Sequence, residues 1–210
     1  MSNNIIIDSL DKYKQFLNEK YDQKINVLVH ACCAPCSSEV LNELSKNANV
    51  IIYYYNPNTY PYEEYLKRYE EFKKLPFEYQ IINEEYNENE YFDYVSEYKD
   101  LKEGSMRCYK CYELRLKQTA KKAKELGIEF FTTTLSISPY KSSKWINEIG
   151  KKYSEEYGVK FLYSDFKKND GYKKSIALSK EYGLYRQEYC GCIYSMKELE
   201  ARIKNKEGLE

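Results

Sequence analysis

Short apolar runs alternate along this chain with amphipathic segments in one consistent order. INVLVHA (25–31), NVIIYYYN (49–56), FEYQIIN (77–83), IEFFTTTL (128–135) and VKFLYSDF (159–166) read as buried strands. Helices are expected over Ser9–Lys20, from near Ser37, over Tyr62–Lys74, Arg107–Leu126, Ser143–Tyr157, near Tyr172–Tyr182 and over Ser195–Lys204. Gly127 is a suitable stop for the Arg107 helix. The acidic, Tyr-rich stretch after FEYQIIN is assigned no element. Strands that are apolar almost throughout, alternating with helices, indicate a parallel sheet covered on both faces. The expected fold is α/β: a single Rossmann-like (HUP-like) domain over residues 1–210, with a five-stranded parallel sheet flanked by helices and residues 1–24 as a helical extension.

Open sheets of this kind form their sites beyond the carboxyl ends of the strands, where the strand order reverses. HACC follows the first strand and TTLSISPYK the fourth, so both loops are expected to flank that point. Lys+Arg and Asp+Glu balance at 33 each, which argues against broad coating of nucleic acid but allows a local basic groove. MSNNIIIDSL has only a three-residue apolar run, neither a signal peptide nor a membrane span, so a cytoplasmic protein is expected. Tyrosine is the outlier, 25 residues against one tryptophan; such rings either stack on bases or pack amphipathic faces.

The seven cysteines change the picture most, because none stands alone: Cys32, Cys33 and Cys36 in HACCAPCSS, Cys108 and Cys111 in RCYKCYELR, Cys190 and Cys192 in EYCGCIYS. In a reducing compartment such clusters bind metal or carry redox chemistry, and an odd count cannot pair completely. Cys108 and Cys111, spaced i, i+3 near a helix start, share a face, where free N–H groups and the helix dipole favour thiolates. With Cys32 and Cys33 at a strand end, four thiolates can hold a [4Fe–4S] cluster or zinc. Cys190-Gly191-Cys192 closes too small a ring for an unstrained disulfide, so it reads as a readily reduced relay, the alternative being two more metal ligands. Glycine between the two supplies the backbone freedom such a ring needs. Cys33-Ala34-Pro35-Cys36 has the thioredoxin spacing, but a thioredoxin-like domain is about half this length and needs none of the other cysteines. Cys36 is a spare ligand, a ligand to a second metal, or a packed turn residue. His30, the only histidine, precedes the cysteine turn as a candidate proton donor or a structural strand-end residue.

HACCAPCSSEVL, YYYNPNTYPYEEYLKR, RCYKCYELRLKQTA, TTLSISPYKSSKWINEIG and NDGYKKSIALSKEYGLYRQEYCGC closely resemble the QueH-type, cobalamin-independent epoxyqueuosine reductases, over about residues 25–196. The resemblance implies reduction of the epoxide of epoxyqueuosine at the tRNA wobble position to the alkene of queuosine, with a [4Fe–4S] cluster. It implies cluster ligands at Cys32, Cys33, Cys108 and Cys111 and a redox-active pair at Cys190 and Cys192; it raises an adjacent iron ion without assigning it, and leaves the role of Cys36 open, a second metal being one candidate. The partners implied are the tRNA anticodon loop and an external electron donor, with no membrane. His30, Tyr140, Tyr189 and Lys141 are candidate proton donors by position. Tyr60, Tyr140 and Tyr185 are candidates for holding an extruded base. Arg107, Lys141, Lys144, Arg186 and the Lys173-Lys174 pair are candidates for phosphates.

Two other functions compete. An ATP-activating tRNA thiolation enzyme would need a glycine-rich phosphate loop where this chain has HACCAPCSS. A noncatalytic, zinc-stabilised RNA-binding module would use the thiols only to hold the fold, and leaves the CGC pair unexplained.

Overall fold

The computed structural model describes residues 24–207; the helix expected over Ser9–Lys20 lies outside the described residues. Strands β1 (Ile25–His30), β2 (Ala48–Tyr54), β3 (Gln80–Asn83), β4 (Phe130–Thr133) and β5 (Lys160–Phe161) form one sheet in the order β3-β2-β1-β4-β5, with every pairing parallel. The described helices are α1 (Ala34–Leu44), α2 (Tyr62–Glu70), α3 (Glu88–Val95), α4 (Met106–Glu125), α5 (Ser143–Tyr157), α6 (Gly171–Glu181) and α7 (Ile193–Glu207). Val27 and Val29 pack into one core and Leu28 into the other, all three fully buried, which is why β1 reads as an unbroken apolar run. None of the described helices is long and apolar enough to cross a membrane.

The expected parallel sheet of five strands is the one observed; the differences lie at element ends and in one helix, α3, where no element was expected. VKFLYSDF pairs only at Lys160–Phe161, with one more bond from Leu162 N–H to Phe131 O at 2.9 Å. Beyond it the Asn147 side chain takes both backbone groups of Ser164, at 3.2 Å each, and turns the chain out of the ladder. β4 stops because the Thr133 hydroxyl accepts the Leu135 N–H and starts a 3₁₀ turn, Thr134–Ile137. The unassigned acidic stretch folds as α3: Asn87 caps it by accepting the Asn89 N–H at 3.1 Å, and Tyr91 and Val95, one turn apart, are its buried residues.

On the α4 side, Glu113 ties three helices together. Its carboxylate accepts from Lys110 (2.7 Å), Lys152 (2.8 Å), Tyr94 (3.1 Å) and Tyr153 (3.1 Å). Burial alone would raise its pKa, but the hydrogen bonds from Lys110, Lys152 and Tyr94 outweigh that and hold it at about 2, below its usual 4.5. A depressed folded-state pKa gives stability that is complete above 4.5 and fades as pH falls toward 2. Glu113→Ala is therefore expected to cost about 2 kcal/mol at neutral pH. In urea unfolding across pH, its deficit against the parent should shrink between pH 4.5 and 2; a deficit independent of pH would refute the assignment.

Candidate metal and redox site

The strand order reverses between β1 and β4, and the first cysteines leave the sheet there. α1 begins at Ala34, three residues before the expected start at Ser37, because Pro35 in the first turn gives up an N–H that has no partner in any helix. Cys33 thus becomes the N-cap and Cys36 falls one turn on, over the same face. The sulfurs of Cys32, Cys33 and Cys36 all lie within 4.8 Å of one another, the one such set of metal-ligating groups among the described residues. Cys32 Sγ is 3.8 Å from Cys33 Sγ. Hydrogen bonds from the Cys33 and Cys36 thiols hold the Cys32 pKa well below its usual value, and the same bonds hold Cys33 and Cys36 up.

Cys108 and Cys111 approach from the N-terminus of α4. Cys108 Sγ accepts the Gly104 N–H at 3.2 Å, a sulfur version of a helix-capping contact. Both pack with Cys32, Cys33 and Cys192 in one core, outside the tight trio. Burial pushes Cys108 up to about 11 and Cys111 to about 12, so desolvation overrides the thiolate-favouring effect expected of the helix N-terminus.

Two cations, one buried and one half-buried, serve these sulfurs. Arg115 is 2% exposed; its Nε donates to Cys111 O at 3.1 Å and its Nη2 has no partner. Lys141 reaches the same region. Burial would lower its pKa, but Cys190, Cys32 and Cys36 outweigh that and raise it. Cations facing sulfurs rather than carboxylates fit an anionic metal–thiolate centre, and soft buried donors suit iron or zinc.

The CGC turn is clamped from α2. Arg68, 2% exposed, is held by Glu64 through Nε at 2.7 Å, and donates to Cys190 O at 3.0 Å and Tyr189 O at 3.4 Å. Tyr60 N–H donates to Gly191 O at 2.8 Å, and the Tyr189 hydroxyl to Tyr60 O at 2.6 Å. Gly191 has φ +130°, and a Cβ there would lie 2.7 Å from Arg68 Nη1. The glycine is thus required by close approach of the clamp as well as by its backbone angle. Cys192 precedes α7 and its Sγ accepts the Ser195 N–H at 3.4 Å.

A cavity of about 480 Å³ opens over these groups, lined by Cys32, Cys36, Cys190, Arg115 and Lys141. Tyr140 (80% exposed), Arg186 and Tyr189, all expected at the site, line it too. Other expected residues lie off this cavity. Arg107 is 3% exposed, donates to the carbonyls of Lys99 and Leu101, and pairs with Glu198 at 3.0 Å, so it braces α4 against α7 and cannot meet a phosphate. His30 is fully buried, with Nδ1 2.9 Å from the Thr133 hydroxyl and Nε2 3.2 Å from Tyr55 O. Burial first, then Arg115, lowers its pKa to about 3. With both nitrogens engaged, the ring joins strand ends. Tyr60 contributes its backbone to the clamp and does not line the cavity. Tyr185 is covered by Lys67 and donates to Glu64. Lys144, Lys173 and Lys174 pair with Glu148, Asp170 and Glu39 away from the cavity. Arg68, Arg115 and Gln187 carried no expectation. Arg115 had a visible signal in its i, i+4 spacing from Cys111; Arg68 and Gln187 had none beyond proximity to motifs.

The family model described as epoxyqueuosine reductase QueH matches residues 27–198. An epoxyqueuosine reductase QueH of Thermotoga maritima is 41% identical over 190 residues, covering 87% of this chain and 97% of the relative. That of Streptococcus pyogenes serotype M1 is 40% identical over 187 residues, covering 85% and 73%. Among solved structures, a predicted subunit of tRNA methyltransferase from Methanocaldococcus jannaschii aligns at TM-score 0.50 and 15% identity over 88% of both chains, a likeness of fold alone.

Proposed function

The chain belongs to the epoxyqueuosine reductase QueH family, and on that premise we propose that it reduces the epoxide of epoxyqueuosine in tRNA to the alkene of queuosine. The observation that carries the reading is one cavity bordered both by Cys32 and Cys36 of the thiol trio and by Cys190 of the CGC pair. Cys32, Cys33, Cys108 and Cys111 would hold a [4Fe–4S] cluster, with Cys36 beside it for an adjacent iron ion. When bound, the centre supplies electrons singly and a Lewis acid for the epoxide oxygen.

The chain's own groups supply the rest. Conversion of epoxide to alkene and water consumes two electrons and two protons. Oxidation of the Cys190 and Cys192 thiols to a disulfide releases the same number of each, and an external donor restores the dithiol. Lys141 holds a proton at Nζ beside Cys32, Cys36 and Cys190, close to where an oxygen must leave. The clustered thiols and the absence of a glycine after β1 favour reduction over ATP-dependent thiolation. Residues 24–207 act as a single domain in the cytoplasm, where tRNA is met.

Tyr140 offers an uncovered ring at the cavity mouth for the extruded base. Tyr140→Ala should raise KM for tRNA about 10-fold, the scale of one lost base stack, with kcat and melting temperature little changed; Tyr140→Phe should behave as the parent. A fall in kcat alone would remove it from binding. The reading as a whole is tested by anaerobic purification, iron and sulfide assay, and nucleoside mass spectrometry of epoxyqueuosine-containing tRNA. Iron-free protein with full activity would end the cluster assignment, and one zinc with unchanged epoxyqueuosine would favour the RNA-binding alternative.

A further inference from the structure

Gln187 lies three residues before Cys190 in the segment RQEYC and lines the cavity. Its Nε2 is 3.1 Å from Cys33 Sγ, a contact across 154 residues of sequence. Its Oε1 is buried and has no hydrogen-bond partner. An amide kept only to fill space would have both ends satisfied, because an unpaired buried carbonyl oxygen is costly. The orientation also has a chemical logic: a metal-bound cysteine is a thiolate, an acceptor only, and the amide presents its donor to it.

Hydrogen bonds to ligating sulfurs withdraw electron density and favour the reduced, more negative state of an iron–sulfur centre. We propose that Gln187 is a positioning residue that donates to Cys33 Sγ and raises the reduction potential of the centre bound there. The inference rests on the cluster reading above. It adds a link between the two redox elements, because the segment that carries the CGC pair also supplies a hydrogen bond to a sulfur of the trio. Arg115 and Lys141 act through charge on Cys32, and Arg68 on Cys33, but the hydrogen bonds of Arg68 go to Glu64, Cys190 O and Tyr189 O, so the amide contact to the Cys33 sulfur is separable from them.

The test is an anaerobic redox titration of the holoenzyme followed by electron paramagnetic resonance, on the parent, Gln187→Met and Gln187→Glu, each with its iron counted. Methionine keeps the length and removes the donor; glutamate keeps the shape and sets a negative charge beside the sulfur. The midpoint should move negative in Gln187→Met and further negative in Gln187→Glu. Turnover should fall about 10-fold in Gln187→Met, as for other outer-shell partners of metal ligands. Midpoints equal to the parent's, or shifted positive, in the iron-loaded variants would overturn the inference while leaving the cluster intact. Failure of both variants to take up iron, with parent-like circular dichroism, would also overturn it, by making Gln187 a group for assembly and not for tuning. Parent protein without iron is a separate result, and overturns the cluster reading itself.

Discussion

Cys33→Ser should leave a folded protein with most of its iron gone and reduction of epoxyqueuosine lowered by roughly 10³-fold, the equivalent of ~4 kcal/mol of lost charge stabilisation at the centre. Position 33 makes the substitution informative because it carries two jobs. Cys33 is the N-cap of α1 in extended backbone, and serine is among the best residues at that position. The helix start is therefore preserved while the thiolate is lost, and metal-free parent and metal-free variant should melt within a few degrees of each other. Iron content, visible absorption and nucleoside mass spectrometry read the outcome. Cys36→Ala is the internal control. With Cys32, Cys33, Cys108 and Cys111 as the cluster ligands, it should keep the cluster and lose at most an additional ion. An equal loss of iron in both variants would move Cys36 into the cluster's own ligand set, as the 4.8 Å spacing of the three sulfurs allows.

The arrangement behind this experiment was legible in part. Uniformly apolar strands announced a sheet covered on both faces, and the alternation of strand and helix announced parallel pairing; Val27, Leu28 and Val29 show why, since each is fully buried on alternating sides. What sequence pattern could not locate were ends decided by side chains distant in the chain. Asn147 ends β5 by capturing Ser164, and Thr133 ends β4 by capturing Leu135. Helix α3 is short, and its consecutive Tyr91 and Phe92, with Tyr94 and Val95, blur the helical period among acidic neighbours, although only Tyr91 and Val95 are buried.

The site divides in the same way. Its sulfurs were visible because clustered cysteines are rare; their unequal states were not, because these depend on packing. Cys108 and Cys111 sit at a helix start, yet burial sets their pKa values. Charge near a motif proved a poor guide to exposure. Arg107, next to Cys108, is a buried brace, whereas Arg115, which drew no attention, faces the sulfurs with an unpaired Nη2. Both arginines carry the same charge in the sequence, and only the third dimension separates a strut from a counter-ion.

The CGC turn yields the second large effect. Gly191→Ala should lower turnover with an external reductant about 100-fold while leaving the iron content at the parent level. The physical case has two parts. At φ +130° an L side chain is strained, at a cost of ~1–3 kcal/mol. The new methyl would lie 2.7 Å from Arg68 Nη1, and that guanidinium is 2% exposed and anchored on Glu64. Either Arg68 yields its bond to Cys190 O, worth ~1.5–3 kcal/mol as a charged hydrogen bond, and its longer contact to Tyr189 O, or the turn shifts away and carries the two thiols off register. Both routes spoil the dithiol without touching Cys32, Cys33, Cys108 or Cys111. Thiol titration under a graded glutathione poise, run beside iron assay, separates the two elements. Loss of iron in Gly191→Ala would instead make Cys190 and Cys192 metal ligands. The steric half of the account is checked by Arg68→Lys, which removes the crowding nitrogen and keeps a cation near Glu64. In the double variant the two penalties should fall short of their sum, because the collision can be charged only once; strictly additive losses would leave the backbone angle as the whole reason for the glycine.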